Sequence, residues 1–186
     1  GMIRKNKLID VAKSGKRELR ESGKLAIKLD PSDKLIGIKL ANQDDDMLLS
    51  SKNGKCLRFP LEKLRLFSGL NSSGVKGIKL EKNNYVISQA ILKHSKIDMN
   101  IRQDYLRAAS KNRKNASSLS SEFEELNKNE EFLLALTTNG YGKRSSAYEY
   151  RASDRGGEGI KCILTSEKNG EVLDCFVISE DDQIIL

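Results

Sequence analysis

The sequence predicts an all-β repeat protein, an array of about three four-stranded blades of the propeller kind with one partly helical insertion. A glycine-led apolar segment occurs three times, at Gly23–Leu29, Gly74–Leu80 and Gly159–Thr165, and a polar turn and a second apolar run follow each copy. The leading glycines are 51 and 85 residues apart, and removing the 34 residues 96–129 from the longer interval restores 51. Units of this length suit four-stranded blades that bury their apolar faces against one another.

The middle unit, residues 44–95, contains the complete strand pattern. Its turns are marked by Asn53-Gly54 and by Glu81–Asn84, because Asn and Gly accept the backbone angles that tight turns require. The four strands are predicted in chain order at Met47–Ser51, Lys55–Phe59, Val75–Leu80 and Tyr85–Leu92.

The last unit, residues 130–180, repeats this pattern, since Leu133–Gly140 aligns with Met47–Gly54 without a gap. Residues 1–43 align with a unit that lacks its first strand, and we expect Lys34–Leu40 to form its fourth strand. Residues 181–186 resemble the first strand of another unit, so we expect a piece of a longer protein.

The segment 96–129 interrupts the pattern and is predicted to be a partly ordered insertion. Ile101, Tyr105 and Ala109 recur at helical spacing within Asp98–Ala109. Ser121–Glu124 has the Ser-x-x-Glu form of a capping box, which predicts a second, short helix.

Composition excludes several classes of protein. No apolar run approaches the ~20 residues of a membrane span, and no signal peptide opens the chain. Cys56, Cys162 and Cys175 are widely spaced and fit buried, reduced thiols in a cytoplasmic protein better than a disulfide framework or a zinc site. His94 is the only histidine. We therefore expect no metal site and no bound cofactor in this segment.

Positive charge is concentrated in the first half of the chain. Residues 1–95 carry 20 Lys and Arg against 10 Asp and Glu, whereas residues 96–186 carry 13 against 16. A basic surface of this kind indicates a polyanionic partner.

The cations also follow the repeat. After the first turn of each unit stand Arg4-Lys5, Arg58 and Lys143-Arg144, and a second cation stands near the start of each third strand at Lys24, Lys76 and Lys161. Stacked blades would align equivalent cations along one edge, where they could contact the phosphates of a bent duplex. Such contacts position DNA and read no bases, so the predicted binding is independent of sequence.

Several strings resemble the C-terminal domain of the DNA gyrase A protein. They are Asn139–Arg144, Ser146–Arg151, Arg155–Ile160, Asn53–Lys55, Arg58–Pro60 and Gly74–Ile78. The resemblance covers nearly the whole chain and adds Arg151 and Arg155 to the predicted DNA-binding set. The family's glutamine-led basic box is missing, and Arg155–Gly159 is a degenerate version with Glu158 in place of lysine.

This resemblance implies a β-pinwheel, a propeller-like disc whose blades exchange strands with their neighbours. It implies that double-stranded DNA wraps around a basic rim and that the parent enzyme is an ATP-dependent type II topoisomerase that introduces negative supercoils. The expected partners are DNA, the rest of the gyrase A protein and the gyrase B protein. ATP and Mg²⁺ would be used elsewhere in that enzyme.

Two other interpretations stay open at this stage: the C-terminal domain of a topoisomerase IV subunit, which lacks a proper basic box, and a basic propeller that binds proteins through its loops or its insertion. No catalytic residue is predicted, because the five tyrosines have no adjacent base that would activate one. The runs Asp44–Asp46 and Asp181-Asp182 are interpreted as solvated linkers, and His94 as a residue without a partner.

Overall fold

The computed structural model describes residues 1–12, 25–69, 71–115 and 119–186. Eleven strands and three α-helices form within these ranges. The strands are β1 (Met2–Ile3), β2 (Lys5–Asn6), β3 (Asp45–Ser51), β4 (Lys55–Pro60), β5 (Leu66–Phe67), β6 (Val75–Lys76), β7 (Val86–Lys93), β8 (Phe132–Thr137), β9 (Gly142–Ser146), β10 (Ile160–Lys161) and β11 (Val172–Ile178). The helices are α1 (Leu8–Ala12), α2 (Met99–Asn115) and α3 (Glu124–Lys128).

Two sheets form the body of the molecule. The middle sheet has the strand order β10-β4-β3-β7, and the last sheet has the order β11-β8-β9. Neighbouring strands in both sheets are antiparallel. The predicted first, second and fourth strands of the middle and last units are confirmed, with shifts of a few residues at their ends.

The third strands pair with the preceding unit and not within their own. Strand β6 of the middle unit pairs with β1, and β10 of the last unit pairs with β4 of the middle unit. Strand β5 also runs beside β2, in parallel. We call residues 65–76 and 151–161 the exchanged segments, because each belongs to one unit and pairs with the preceding one. This is the exchange that the family resemblance implies.

Glycine makes the exchange possible at both joints. Gly159 has a φ of +75°, and a Cβ at this position would stand 2.5 Å from the main-chain oxygen of Cys56 on β4. Gly74 has a φ of +93° and approaches the main-chain oxygen of Ile3 in the same way. A side chain would clash with the neighbouring strand and would also strain the left-handed backbone. This explains why glycine opens both exchanged strands.

Both faces of the middle sheet are covered. On one face Leu48, Cys56 and Leu92 pack with Leu133 and Val172 of the last unit. On the other, a second cluster contains Met47, Leu49, Leu57, Phe59 and Ile78, and Ile3 of the first unit packs against it. The joints between units are therefore apolar cores as well as strand pairs.

The first unit departs most from its prediction. Residues 25–42 form no strand, so the expected fourth strand at Lys34–Leu40 is wrong for the part of the chain that the structure describes. Gly23 and Lys24, which open the predicted third strand, lie outside the described residues. At the other end of the chain, residues 183–186 are exposed and likewise form no strand. The predicted unit boundaries remain predictions.

The insertion is helical, as predicted, and is fixed to the last unit. Helix α2 begins after Asp98, whose side chain accepts a 2.8 Å hydrogen bond from Asn100 N, and it extends six residues past the predicted end. Tyr105 is fully buried and stacks edge-on against Phe123 and against Tyr148 of the last unit. The predicted capping box does not form, because the short helical turns after Ser120 have no side-chain cap.

Candidate nucleic-acid interface

Two of the predicted second-strand cations, Lys5 and Arg58, hydrogen-bond the following unit. Lys5 Nζ donates to the main-chain oxygen of Leu61 at 2.6 Å, and Arg58 Nη1 donates to that of Ala147 at 2.9 Å. The two contacts are equivalent, because each acceptor is the first residue of a short 3₁₀ turn in the following unit. At both joints the same cation is also paired in parallel with the exchanged segment. These side chains therefore fasten one unit to the next.

Arg58 is buried, with only 5% of its surface exposed, so the expectation that it lies on a DNA-facing edge is wrong. Its Nε donates to Asp46 Oδ2 at 2.7 Å, and its Nη2 donates to the main-chain oxygen of Lys93 at 2.8 Å. A buried guanidinium needs such partners, because an unpaired charge is costly to remove from water. The side chain consequently connects three strands of the middle sheet, β3, β4 and β7, with the last unit.

The same network corrects two further interpretations. Asp46 is fully buried rather than part of a solvated linker, and His94 has a partner, because its Nδ1 lies 2.7 Å from Asp46 Oδ1. One feature of the sequence indicates this arrangement. Asp46 lies at the start of the first strand of the middle unit, and the second strand, which pairs with it, carries Arg58.

The remaining second-strand cations differ in their surroundings. Arg4 is half-buried, and its guanidinium donates to the main-chain oxygens of Ser72 and Ala26. Arg144 is exposed. Its guanidinium carbon lies 4.1 Å from the centre of the Phe132 ring, and its Nη2 lies 3.2 Å from Glu180 Oε1.

The third-strand cations occupy equivalent, exposed positions. Lys76 pairs across the strands with Met2, and Lys161 pairs with Lys55. Each stands two residues after the left-handed glycine of its exchanged segment. Neither side chain forms an ion pair within the described ranges. Lys24, the third residue of this predicted row, lies outside the described residues.

A second pair of exposed cations begins the exchanged segments. Arg151 precedes Ala152, which pairs with Arg58, and Arg65 precedes Leu66, which pairs with Lys5. The two arginines are therefore equivalent, although sequence reasoning found only Arg151. Arg65 and Arg151 stand the same number of residues after the second-strand cations of their units, Arg58 and Arg144. The match is lost when the two units are aligned at Gly74 and Gly159, because the middle unit has one more residue between its arginine and its glycine.

Arg155 and Lys143 add a cation to each joint. Arg155 Nη1 donates to the main-chain oxygen of Lys76 at 3.1 Å, and Lys143 Nζ donates to that of Cys162, the neighbour of Lys161, at 3.1 Å. Both side chains are exposed. Each joint thus combines an exposed lysine of an exchanged strand with a cation from the last unit.

Other lysines near the joints are neutralised by carboxylates. Lys63 pairs with Asp154 at 2.8 Å and Lys79 with Glu158 at 2.7 Å, and both pairs join the middle unit to the last unit's exchanged segment. Hydrogen bonds from these lysines lower the pKa of each carboxyl group below its ordinary value. The cations available to a polyanion are therefore those without such partners.

Within the described ranges, no group of three His, Cys, Asp or Glu side chains could hold a metal ion. Cys56, Cys162 and Cys175 are unpaired, and their predicted burial is confirmed. Hydrogen bonds with Cys162 and Cys175, together with burial, raise the pKa of Cys56. A hydrogen bond with Cys175, together with burial, raises the pKa of Cys162 to about 12, and a hydrogen bond with Cys56 opposes this rise.

The tyrosines carry no sign of activation. Burial raises the pKa of Tyr148 to about 12, and burial also raises the pKa values of Tyr105 and Tyr150. These phenols stay protonated at neutral pH.

The described helices include none that combines the length and the apolar character of a membrane span.

Comparison with known proteins identifies relatives for the whole chain. The sequence model of the family described as "DNA gyrase C-terminal domain, beta-propeller" matches residues 17–42, 45–91 and 131–179. The DNA gyrase A protein of Rickettsia bellii is 38% identical over the full chain, and that of Granulibacter bethesdensis is 37% identical. The Escherichia coli gyrase A protein is 30% identical over 90% of the chain. The chain spans about a fifth of the length of the first two relatives.

Two solved structures share the fold. The C-terminal domain of DNA topoisomerase IV superposes with a TM-score of 0.68 at 18% identity, covering 97% of this chain and 44% of that one. The DNA gyrase A C-terminal domain superposes with a TM-score of 0.60 at 23% identity, covering 87% and 43%. The likeness supports the strand-exchanged β architecture.

Proposed function

The chain belongs to the family of DNA gyrase C-terminal domains, and from this premise we propose that it binds and wraps double-stranded DNA without regard to base sequence. The observation that carries the proposal is the equivalence of Lys76 and Lys161. Both are exposed lysines at one position of consecutive exchanged strands, and neither is neutralised by a carboxylate within the described residues. Cations repeated from unit to unit suit a regular phosphate backbone.

The proposed contact set differs from the one that the sequence predicted. It keeps the exposed cations of the exchanged segments and adds the one that was missed: Arg65, Lys76, Arg151, Arg155 and Lys161. Lys143 is removed because its Nζ lies 3.6 Å from Glu149 Oε2. Arg58 is removed because it is buried, and Arg4 and Lys5 because they are half-buried against the main-chain oxygens that they bind. Lys24 remains a prediction, and Arg144 is removed because its guanidinium pairs with Glu180.

Electrostatics and shape are sufficient for this function. Lysine and arginine at phosphates fix the path of a duplex but do not read its bases. Bending DNA over a small disc costs several kcal/mol, which many phosphate contacts together would have to offset. We therefore expect this chain, with two joints, to bind weakly and to lose affinity steeply as salt is raised.

We further propose that the parent protein is gyrase A, part of an ATP-dependent type II topoisomerase that acts in the cytoplasm together with gyrase B. The relatives from Rickettsia bellii, Granulibacter bethesdensis and Escherichia coli, at 30–38% identity, are DNA gyrase A proteins, which favours gyrase over topoisomerase IV. In this proposal the wrapped duplex is passed to the catalytic core for negative supercoiling. ATP and Mg²⁺ are used outside this chain.

Duplex affinity tests the binding proposal. Fluorescence anisotropy with two unrelated duplexes should give nearly equal affinities for the unaltered chain. Lys76→Glu/Lys161→Glu should weaken both by on the order of tenfold, because two phosphate contacts become repulsive. The matched control is Lys111→Glu/Lys128→Glu, which reverses two exposed charges in the insertion. Equal affinities for the two double variants would contradict the proposal and favour the protein-binding interpretation.

Plasmid topology tests wrapping separately from binding. Nicked plasmid ligated with saturating protein should have a different linking number from plasmid ligated without protein if the duplex is wrapped with a single handedness. The Lys76→Glu/Lys161→Glu variant at the same concentration should shift it less. Binding without any shift would leave the duplex contact in place but contradict the wrapping.

A further inference from the structure

The turns before β7 and β11 carry equivalent exposed lysines that are absent from the contact set above. Lys82 and Lys168 each stand four residues before the first residue of the following strand. Neither forms an ion pair within the part of the chain that the structure describes, although Lys168 Nζ lies 5.7 Å from the centre of the Tyr141 ring. The middle and last units therefore repeat a second exposed cation in addition to Lys76 and Lys161.

Each of these turns is held by an asparagine from the first turn of its unit. Asn53 Nδ2 donates to Glu81 Oε2 at 3.1 Å. Asn139, which occupies the same position in the last unit, donates through Nδ2 to the main-chain oxygens of Glu167 and Lys168 at 3.1 and 3.0 Å. The two lysines are thus carried by fixed turns, so little further ordering of the main chain is needed when they bind a ligand.

The turn that carries Lys82 lies on the same face of the middle sheet as Lys161. Lys161 stands directly opposite Lys55 across β10 and β4, so these two side chains project from one face. Lys55 Nζ binds Glu81 Oε1 at 2.6 Å, and Lys82 is the next residue. Lys161 belongs to the last unit and Lys82 to the middle unit, so each unit supplies one cation to this face of the joint.

A shallow depression lies at this joint, bordered by the two cations. Its charged lining consists of Lys55, Lys79, Glu81 and Glu158. Two ion pairs neutralise this lining, at 2.6 Å for Lys55–Glu81 and at 2.7 Å for Lys79–Glu158. Lys161 is the strand partner of one lining residue, and Lys82 is the sequence neighbour of another. Two lysines without carboxylate partners therefore flank a neutral floor.

We propose that Lys82 and Lys168 form a second row of phosphate contacts, and that the two rows bind the two strands of one duplex. The inference rests on the proposed function. At the joint between the middle and last units, Lys161 would contact the phosphates on one side of a groove and Lys82 those on the other. The groove itself, which is lined by base edges, would face the neutral floor. A single strand has one backbone and can use only one row at a time.

Duplex and single-strand affinities of the same chain test this inference. Anisotropy with a duplex and with one of its separated strands should show that Lys82→Ala/Lys168→Ala weakens duplex binding severalfold and single-strand binding less. The slope of log K against log salt for the duplex should become smaller by about two, one for each lost contact. Lys111→Ala/Lys128→Ala, which removes two exposed charges of the insertion, is the matched control and should leave both affinities unchanged. Unfolding curves should confirm that both double variants are folded.

Two results would overturn the inference: a duplex salt slope that Lys82→Ala/Lys168→Ala leaves unchanged, or an equal loss of affinity for the duplex and the single strand. These failures differ from a failure of the proposed function, in which Lys76→Glu/Lys161→Glu binds the duplex as tightly as its control. If Lys76→Glu/Lys161→Glu loses duplex affinity and Lys82→Ala/Lys168→Ala does not, the proposed function stands and the second row is excluded.

Discussion

Arg58 and Arg144 occupy the same position in consecutive units, yet Arg58 is buried and Arg144 is exposed. Two differences produce this contrast. The residue opposite the end of the second strand is Asp46 in the middle unit and Phe132 in the last, so an ion pair is replaced by a ring contact. The last unit also covers Arg58 through Ala147. The same repeated arginine is therefore buried in a joint in the middle unit and exposed in the last unit.

Removing the buried arginine should destabilise the fold. We expect Arg58→Ala to lower the free energy of unfolding by about 3–5 kcal/mol, because Asp46 would keep a buried charge without its main partner. Arg144→Ala is the matched control and should cost less than about 1 kcal/mol, since its ion pair is exposed. Denaturant unfolding measures both. Equal losses would show that Arg58 does not carry the joint.

The left-handed glycine of the exchanged segment should be irreplaceable. Gly159→Ala would bring a Cβ against the main-chain oxygen of Cys56. Gly140→Ala is the control: its φ is +81°, but nothing lies within 4 Å of the added Cβ, so it should cost only the backbone strain of about 1–2 kcal/mol.

Two measurements separate the glycine variants. Gly159→Ala should unfold at clearly lower denaturant than Gly140→Ala. It should also speed hydrogen exchange at the Cys162 amide, which donates to the main-chain oxygen of Gly54 at 2.8 Å across the joint. Similar behaviour of the two variants would mean that strand exchange does not depend on that close approach.

Acid should weaken the joint between the middle and last units. Lysine hydrogen bonds lower the pKa of Asp154 and of Glu158, so the stability that these carboxylates contribute is present above their unfolded pKa values and is lost as the pH falls through the lower folded values. Asp154→Asn/Glu158→Gln should therefore be less stable than the unaltered chain at neutral pH, and the difference should disappear as the pH falls through the lowered pKa values of the two folded carboxyl groups. A difference independent of pH would exclude the ion pairs as its source.

The three thiols should be unreactive until the joint opens. Cys56, Cys162 and Cys175 share one buried cluster, and each is only 1% exposed, so a reagent cannot reach them in the folded chain. Burial is decisive for Cys175, because hydrogen bonds with Cys162 and Cys56 lower its pKa while the pKa values of the other two thiols are raised. A thiol reagent should label them together, at the rate of unfolding. Rapid labelling of one cysteine in the folded chain would contradict the packing described for that joint.

Much of the fold could be predicted from sequence because the pattern is local. Alternating apolar residues identify β7 as a strand, and Asn53-Gly54 identifies a turn. Both signals are present whichever strands pair in the folded protein. A local pattern cannot predict the strand exchange, because the residues Val75-Lys76 would be the same whether β6 paired within its own unit or with the preceding unit. The partner is decided by contacts such as Gly74 against Ile3, which lie far apart in sequence.

The candidate site was predicted less completely for a similar reason. Repeated lysine or arginine indicates a cation at each joint but not whether the cation faces water. For Arg58 that depends on Asp46, 12 residues away, and on Ala147, 89 residues away. Lys76 and Lys161 were predicted because they recur at one position of the repeat, and the structure leaves both exposed. Arg65 was missed because the segment between it and Gly74 is one residue longer than the segment between Arg151 and Gly159.

The salt dependence of duplex binding tests most directly whether the exchanged segments contact phosphates. For the unaltered chain, the logarithm of the binding constant should fall linearly with the logarithm of the salt concentration. In Lys76→Glu/Lys161→Glu the slope should be smaller by about two, one for each lost phosphate contact, whereas Lys111→Glu/Lys128→Glu should keep the original slope. A slope that Lys76→Glu/Lys161→Glu leaves unchanged would contradict the account.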